Sequence, residues 1–177
     1  MLLKSYKSSR SPWKIALLSL FFVFISGCSS AWLSPGKLIG QNEQTVIAEW
    51  GNPTARIAMP DGGIRLQYSG QPWGRYVWNV DMAPNDEVYE VYQALQPNYF
   101  NKIPVDGSWR DEDVLREFGA PAFIDHTASW HGDIWNYRWR ENTTDMFFYI
   151  YFDENGAVKR AHQGIDFSSE ERFPFVF

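Results

Sequence analysis

Cysteine is nearly absent: Cys28 is the only one in 177 residues. A single thiol excludes an intrachain disulfide and leaves no second cysteine for a thiolate metal site or a redox pair. Histidine is scarce, with only His126, His131 and His162. No Gly-x-Ser-x-Gly, His-Glu-x-x-His or Gly-rich phosphate loop occurs, so the familiar hydrolase, zinc-protease and nucleotide signatures are missing. Long apolar runs are also lacking. The main one, residues 15–25, has 11 residues, short of the roughly 20 that a membrane-spanning helix needs. Positive charge is the minority, with 16 basic against 21 acidic residues.

That short apolar run has a meaning of its own. Lys4, Lys7, Arg10 and Lys14 precede it, and small residues lead into Cys28. A basic n-region, an apolar core and small residues form a secretory signal. Ile25-Ser26-Gly27-Cys28 resembles a bacterial lipobox. The resemblance implies that Cys28 is acylated and becomes the first mature residue, holding the domain at a membrane by its lipid. Ser29, in place of an aspartate, resembles the outer-membrane sorting pattern. Residues 1–27 are then signal peptide and 28–32 a lipidated tether. Four basic residues leave with the signal, so the mature 150 residues carry 12 basic against 21 acidic, net -9. Such a balance argues against a nucleic-acid partner.

The mature region repeats itself. Val46-Ile47-Ala48-Glu49-Trp50-Gly51-Asn52-Pro53 matches Val114-Leu115-Arg116-Glu117-Phe118-Gly119-Ala120-Pro121 at an offset of 68. Arg65-Leu66-Gln67-Tyr68 matches Ile134-Trp135-Asn136-Tyr137 at 69. Trp78, Val80, Asn85, Val88 and Gln93 match Phe148, Ile150, Asn155, Val158 and Gln163 at 70. Ordered matches with a small drift are the mark of an internal duplication. The expected copies are 33–96 and 97–166, followed by a tail, 167–177.

Each copy reads as helix, then antiparallel strands, an α+β pattern. Asn42 and Ser108 are the expected N-caps, with Asp111 at N3 of the second helix. Val46, Ile47 and Trp50, and Val114, Leu115 and Phe118, form apolar faces. Gly51 and Gly119 are expected as left-handed C-caps, with Pro53 and Pro121 preventing continuation. Period-two alternation places Trp78, Val80 and Met82 on one strand face, and Phe148, Ile150 and Phe152 on its counterpart. Pro84-Asn85-Asp86 and Asp153-Glu154-Asn155-Gly156 are hairpin turns. Residues 97–103 suggest a short packing helix. The two copies are expected to sit side by side in a continuous sheet, with helices on one face and the other face free.

Candidate chemistry is thin. His126 and His131, with Asp125 and Asp133, are the nearest approach to a zinc set, without ligand spacing. Asp153, Asn155 and Asp166 lack the fixed pattern of a calcium loop. The acid pairs Glu87/Glu90 and Asp111/Glu112 read as solvated faces. No cofactor, metal or catalytic residue is expected, and the chain reads as non-enzymatic. Aromatics carry the remaining signal. Trp130, Trp135 and Trp139 are a possible protein interface, with Trp130 and at least one of the other two expected to be exposed. The alternative is that they complete the sheet core. Trp135, Tyr137 and Trp139 share one strand face, and Arg138 and Arg140 the other.

Val114 to Pro121, Asn136-Tyr137, the run 148–156 and Val158, following a lipobox, resemble the SmpA/OmlA (BamE-like) outer-membrane lipoprotein family in a tandem form. The two-copy arrangement is also similar to a proteinaceous β-lactamase inhibitor. The resemblance implies two helix-on-sheet units and an accessory role in envelope or β-barrel protein assembly. It places the chain at the outer membrane, with its folded part facing the periplasm. A periplasmic enzyme inhibitor and a general structural lipoprotein are the other functions it leaves open.

Overall fold

The computed structural model describes residues 34–167. The signal peptide, Cys28 with its tether, and the tail beyond Phe167 lie outside the described residues. A 3-10 turn at Pro35–Leu38 opens the described chain. Helix α1 (Glu43–Trp50) starts where Asn42 Oδ1 accepts the Thr45 N–H at 2.9 Å, as its residue type favours. Four strands follow: β1 (Ala55–Ala58), β2 (Ile64–Ser69), β3 (Val77–Met82) and β4 (Val88–Gln93). A short α2 (Pro97–Phe100) leads to α3 (Asp111–Phe118). Strands β5 (Phe123–Thr127), β6 (Trp130–Glu141), β7 (Thr144–Phe152) and β8 (Val158–Ile165) complete the order. The architecture is α+β, with two four-stranded antiparallel sheets ordered β1-β2-β3-β4 and β5-β6-β7-β8.

The internal match holds at the level of register. Tyr68 pairs with Trp78, and Tyr137 with Phe148. Trp78 pairs with Gln93, and Phe148 with Gln163. A register shift sits between Asp81 and Met82 in one sheet and between Tyr151 and Phe152 in the other. The turn before β4 uses Asp86 at φ 65°, where the turn before β8 uses Gly156 at φ 74°. Helices α1 and α3 end the same way. Gly51 has φ 81°, ψ -171° and Gly119 has φ 70°, ψ -166°. This is not the left-handed helical conformation expected from sequence. It combines positive φ with an extended ψ, a region open to glycine almost alone. The Tyr68 hydroxyl donates to Gly51 O at 3.1 Å, and the Tyr137 hydroxyl to Gly119 O at 2.8 Å. One tyrosine of each sheet thus ties down the exit of its own helix.

Two other expectations need correction. Ser108 does not cap α3. The N-cap is Arg110, whose N–H donates to Asp113 Oδ2 at 2.9 Å, so the N3 carboxylate is that of Asp113 and not Asp111. The two sheets also do not join into one. Helix α3 serves both: Val114 and Phe118 are buried in the core over sheet two with Tyr137 and Phe148, while its C-terminal turn meets sheet one. Leu66, Tyr68, Val80 and Met82 form the buried α1-side face of sheet one with Val46 and Trp50. The opposite face of sheet one, expected to be free, is covered.

Candidate functional site

The covered face of sheet one carries alternate residues of β2 and β3: Arg65 opposite Asp81, and Gln67 opposite Asn79. All four are at most 5% exposed. Polar groups at this depth need partners, and the last turn of α3 supplies them. The final carbonyls of a helix have no partner within it. Arg65 Nη1 donates to Arg116 O at 3.0 Å and to Glu117 Oε2 at 2.9 Å. Asn79 Nδ2 donates to Glu117 O at 2.8 Å, and Gln67 Nε2 to Arg116 O at 3.2 Å. The Tyr92 hydroxyl donates to Glu117 Oε1 at 2.9 Å. Arg65 also grips Asp81 through two bonds of 2.6 and 2.7 Å. The guanidinium sits at the negative end of the helix dipole, where a cation is favoured.

Two further links join the copies. The Gln71 side chain donates to Arg138 O at 2.7 Å and accepts the Arg138 N–H at 3.2 Å, acting as a strand backbone would. Arg75 makes two 2.6 Å bonds to Asp145, which Arg140 also contacts at 2.8 Å. The Arg75 hydrogen bonds lead, with Arg140 adding, in holding the Asp145 carboxyl at about 2. Beside this junction lies a groove of about 610 Å³, lined by Ala55 and Ile57 of β1, Leu115 of α3 and Pro121, with Gln67 beneath. Its wall is mostly apolar, and it can receive a small apolar side chain.

The corresponding face of sheet two differs. By the repeat offsets, Arg65, Gln67, Asn79, Asp81 and Tyr92 become Ile134, Asn136, Tyr149, Tyr151 and His162. Tyr149, Tyr151 and His162 are half-buried and Arg160 is exposed. Their rings contact one another: the His162 ring stacks with Tyr149 at 4.9 Å and with Tyr151 at 5.3 Å. Arg160 lies over Tyr151 and Arg138 over Phe147. Phe123, 38% exposed, meets Phe147 edge-on at the rim. Asn136 is fully buried beneath this layer, and its Oδ1 has no hydrogen-bond partner among the described residues; nor has the buried His162 Nδ1. Burial, then Arg160, holds the His162 pKa below its usual value. The face thus combines aromatic rings, flanking cations and two buried polar atoms without a partner among the described residues.

Two of the three tryptophans expected at an interface lie elsewhere. Trp135 is 8% and Trp139 2% exposed. Both point to the α3 side, Trp135 against Phe152 and Trp139 against Phe100. The expected exposure of Trp135 or Trp139 is therefore wrong, because they share the strand phase of the core residue Tyr137. Trp130 is half-buried at the edge of the open face; its indole N–H donates to Phe152 O at 2.7 Å and its ring meets Tyr151. The candidate residues of the open face that sequence reading did not single out are Tyr149, Tyr151, Arg160 and His162. His126 and Asp133 approach to 3.4 Å, both well exposed. Among the described residues no group of three or more His, Cys, Asp or Glu side chains is placed to hold a metal ion. Asp153 Oδ1 accepts the Asn155 and Ala157 N–H groups of its own turn, and Asp166 receives Arg138.

No family model matches the chain, and no curated protein matches it. Two solved structures are similar. One is a DUF4309 family protein (YjgB) from Bacillus subtilis subsp. subtilis str. 168, 9% identical, covering 72% of this chain and 81% of that one, with a TM-score of 0.30. The other is an extracellular protein containing a SCP domain from Bacillus anthracis str. Ames, 13% identical, covering 97% of this chain, with a TM-score of 0.30. This chain spans about half of that second protein, 52% of its length.

Proposed function

We propose that this protein is a lipid-anchored, non-enzymatic adaptor of the outer membrane, with BamE-like units that serve envelope or β-barrel protein assembly. The observation that carries the reading is the open face of sheet two. Its half-buried Tyr149 and His162 occupy the positions of Asn79 and Tyr92, which meet the helix end in sheet one, and Tyr151 and the exposed Arg160 lie beside them. Aromatic and arginine side chains are the usual anchors of protein interfaces. The lipobox-like Ile25-Ser26-Gly27-Cys28 supports anchoring through an acylated Cys28, and the SmpA/OmlA-like motifs support an accessory role.

Crosslinked capture from membranes tests the reading. The wild-type chain should recover envelope-assembly proteins, and Tyr149→Ala with Arg160→Glu should lose them without a lower melting temperature. Cys28→Ala should move the chain to the soluble fraction. Unchanged membrane fractionation of Cys28→Ala would refute the lipid anchor. Capture that ignores the face substitutions would refute the adaptor surface. Recovery of one soluble enzyme that loses activity on mixing would make the chain an inhibitor instead.

A further inference from the structure

The repeat supplies a template for what the open face receives. In sheet one, the equivalent face is closed by the C-terminal turn of the helix belonging to the next copy, α3. Carrying the same relation forward by one copy, sheet two receives the C-terminal turn of a third helix. Each chain holds a repeat equivalent of α3, namely α1, whose C-terminal turn has an exposed side.

Resting on the adaptor reading, we infer that the open face of sheet two binds the C-terminal turn of α1 from a second copy of this chain, giving a head-to-tail assembly. Three observations carry this. The contact extends an interface already built within one chain, between repeat-equivalent surfaces. The donor surface is accessible: Ala48 and Glu49 of α1, equivalent to Arg116 and Glu117, are both exposed. The charges match: Glu117 is held by Arg65 and Tyr92 in sheet one, and its equivalent Glu49 would meet His162, the counterpart of Tyr92, beside Arg160. The cation has moved from β2 in sheet one to β8 in sheet two, within the same cross-strand row.

The half-buried His162 ring suits the same occupant. A neutral imidazole nitrogen can donate to a helix-end carbonyl or to a carboxylate. Because the two surfaces differ, the contact is heterologous, and it propagates unless geometry closes a ring.

Sedimentation velocity of the full chain in detergent tests the inference with two variants. Glu49→Arg disables the helix side and Arg160→Glu the sheet side. Wild type should show concentration-dependent species larger than a dimer. Each variant alone should associate more than about tenfold more weakly, the usual result of removing one partner of a desolvated charge pair. An equimolar mixture brings together one intact helix surface and one intact sheet surface, so it should again form pairs in the concentration range of the wild type. A mixture no stronger than its separate components would overturn the head-to-tail pairing. Wild type that remains monomeric would overturn the inference, as would association that neither variant weakens. Monomeric wild type whose face variants still lose envelope-protein capture would overturn self-association alone and leave the adaptor reading standing.

Discussion

The two copies share register, the last hairpin turn and helix exits, yet they treat the outer face of the sheet in opposite ways. Copy one places Arg65, Gln67, Asn79 and Asp81 there; the first three hold the last carbonyls of α3, and Asp81 holds Arg65. Copy two places Ile134, Asn136, Tyr149 and Tyr151 there, and two polar atoms of that face lack a partner among the described residues. A duplicated fold can thus keep its backbone and change what one face binds. Polar side chains suit a fixed helix end with known carbonyl positions. Aromatic side chains suit a surface that meets its partner later, because ring contacts are less demanding of geometry than hydrogen bonds.

The largest expected effect comes from breaking the buried pair. Asp81→Ala leaves Arg65 without its two-point partner and should cost about 3–5 kcal/mol in chemical denaturation. Substituting both, Arg65→Ile with Asp81→Tyr, imports the residues of copy two and should cost less than the sum of the single changes. Strict additivity would show that the pair is not coupled.

The helix exits come next. Gly119→Ala and Gly51→Ala both force a positive φ with an extended ψ on a residue with a Cβ, each costing on the order of 1–3 kcal/mol. They should differ. A Cβ at Gly119 would lie 2.8 Å from Gln67 Oε1, whereas nothing lies within 4 Å at Gly51. Equal losses in melting experiments would mean that the junction yields freely. Smaller still, Tyr137→Phe and Tyr68→Phe each remove one hydrogen bond, worth about 0.5–1.5 kcal/mol. Tyr137→Phe should be the more costly, since Tyr137 is fully buried and its bond is the shorter, 2.8 against 3.1 Å.

The smallest effect concerns pH and a pair of equivalent positions, Arg75 and Asp145, which bear opposite charges. The Asp145 carboxyl is lowered from 3.8 to about 2 in the folded chain. Its contribution to stability is therefore complete above its unfolded value and is lost as pH falls from about 4 toward 2. Arg75→Ala should flatten that part of a stability-versus-pH curve. An unchanged slope would show that the link between copies is not felt in solution.

Much of this was legible in the sequence wherever the signal is local. The helices, their terminal glycines and the hairpin turns follow from short patterns, and the offsets of 68 to 70 align the copies. The repeat held more than residue type alone reveals. Asn42 advanced by 68 is Arg110, the observed cap, while residue type and Asp111 three positions on favour Ser108. Tyr68 advanced by 69 is Tyr137, which assigns Trp135 and Trp139 to the core phase. Alternation could not decide this, because both faces of β7, the strand paired with β6, are rich in aromatics. The burial of Arg65 and Asp81 was not legible. Polar residues at alternate strand positions read as a solvated face, and the helix end that covers them comes from the following copy.

The covering of sheet one by α3 also bears on the order in which the chain is made. Copy one leaves the ribosome before α3 exists, so its outer face must wait in water for its cover. A face built from Arg65, Gln67, Asn79 and Asp81 tolerates that wait without presenting a sticky surface. The aromatic face of copy two is made after α3, at the end of the second copy. The polar and aromatic versions of one sheet face are thus ordered along the chain so that the nascent protein exposes its least adhesive half first.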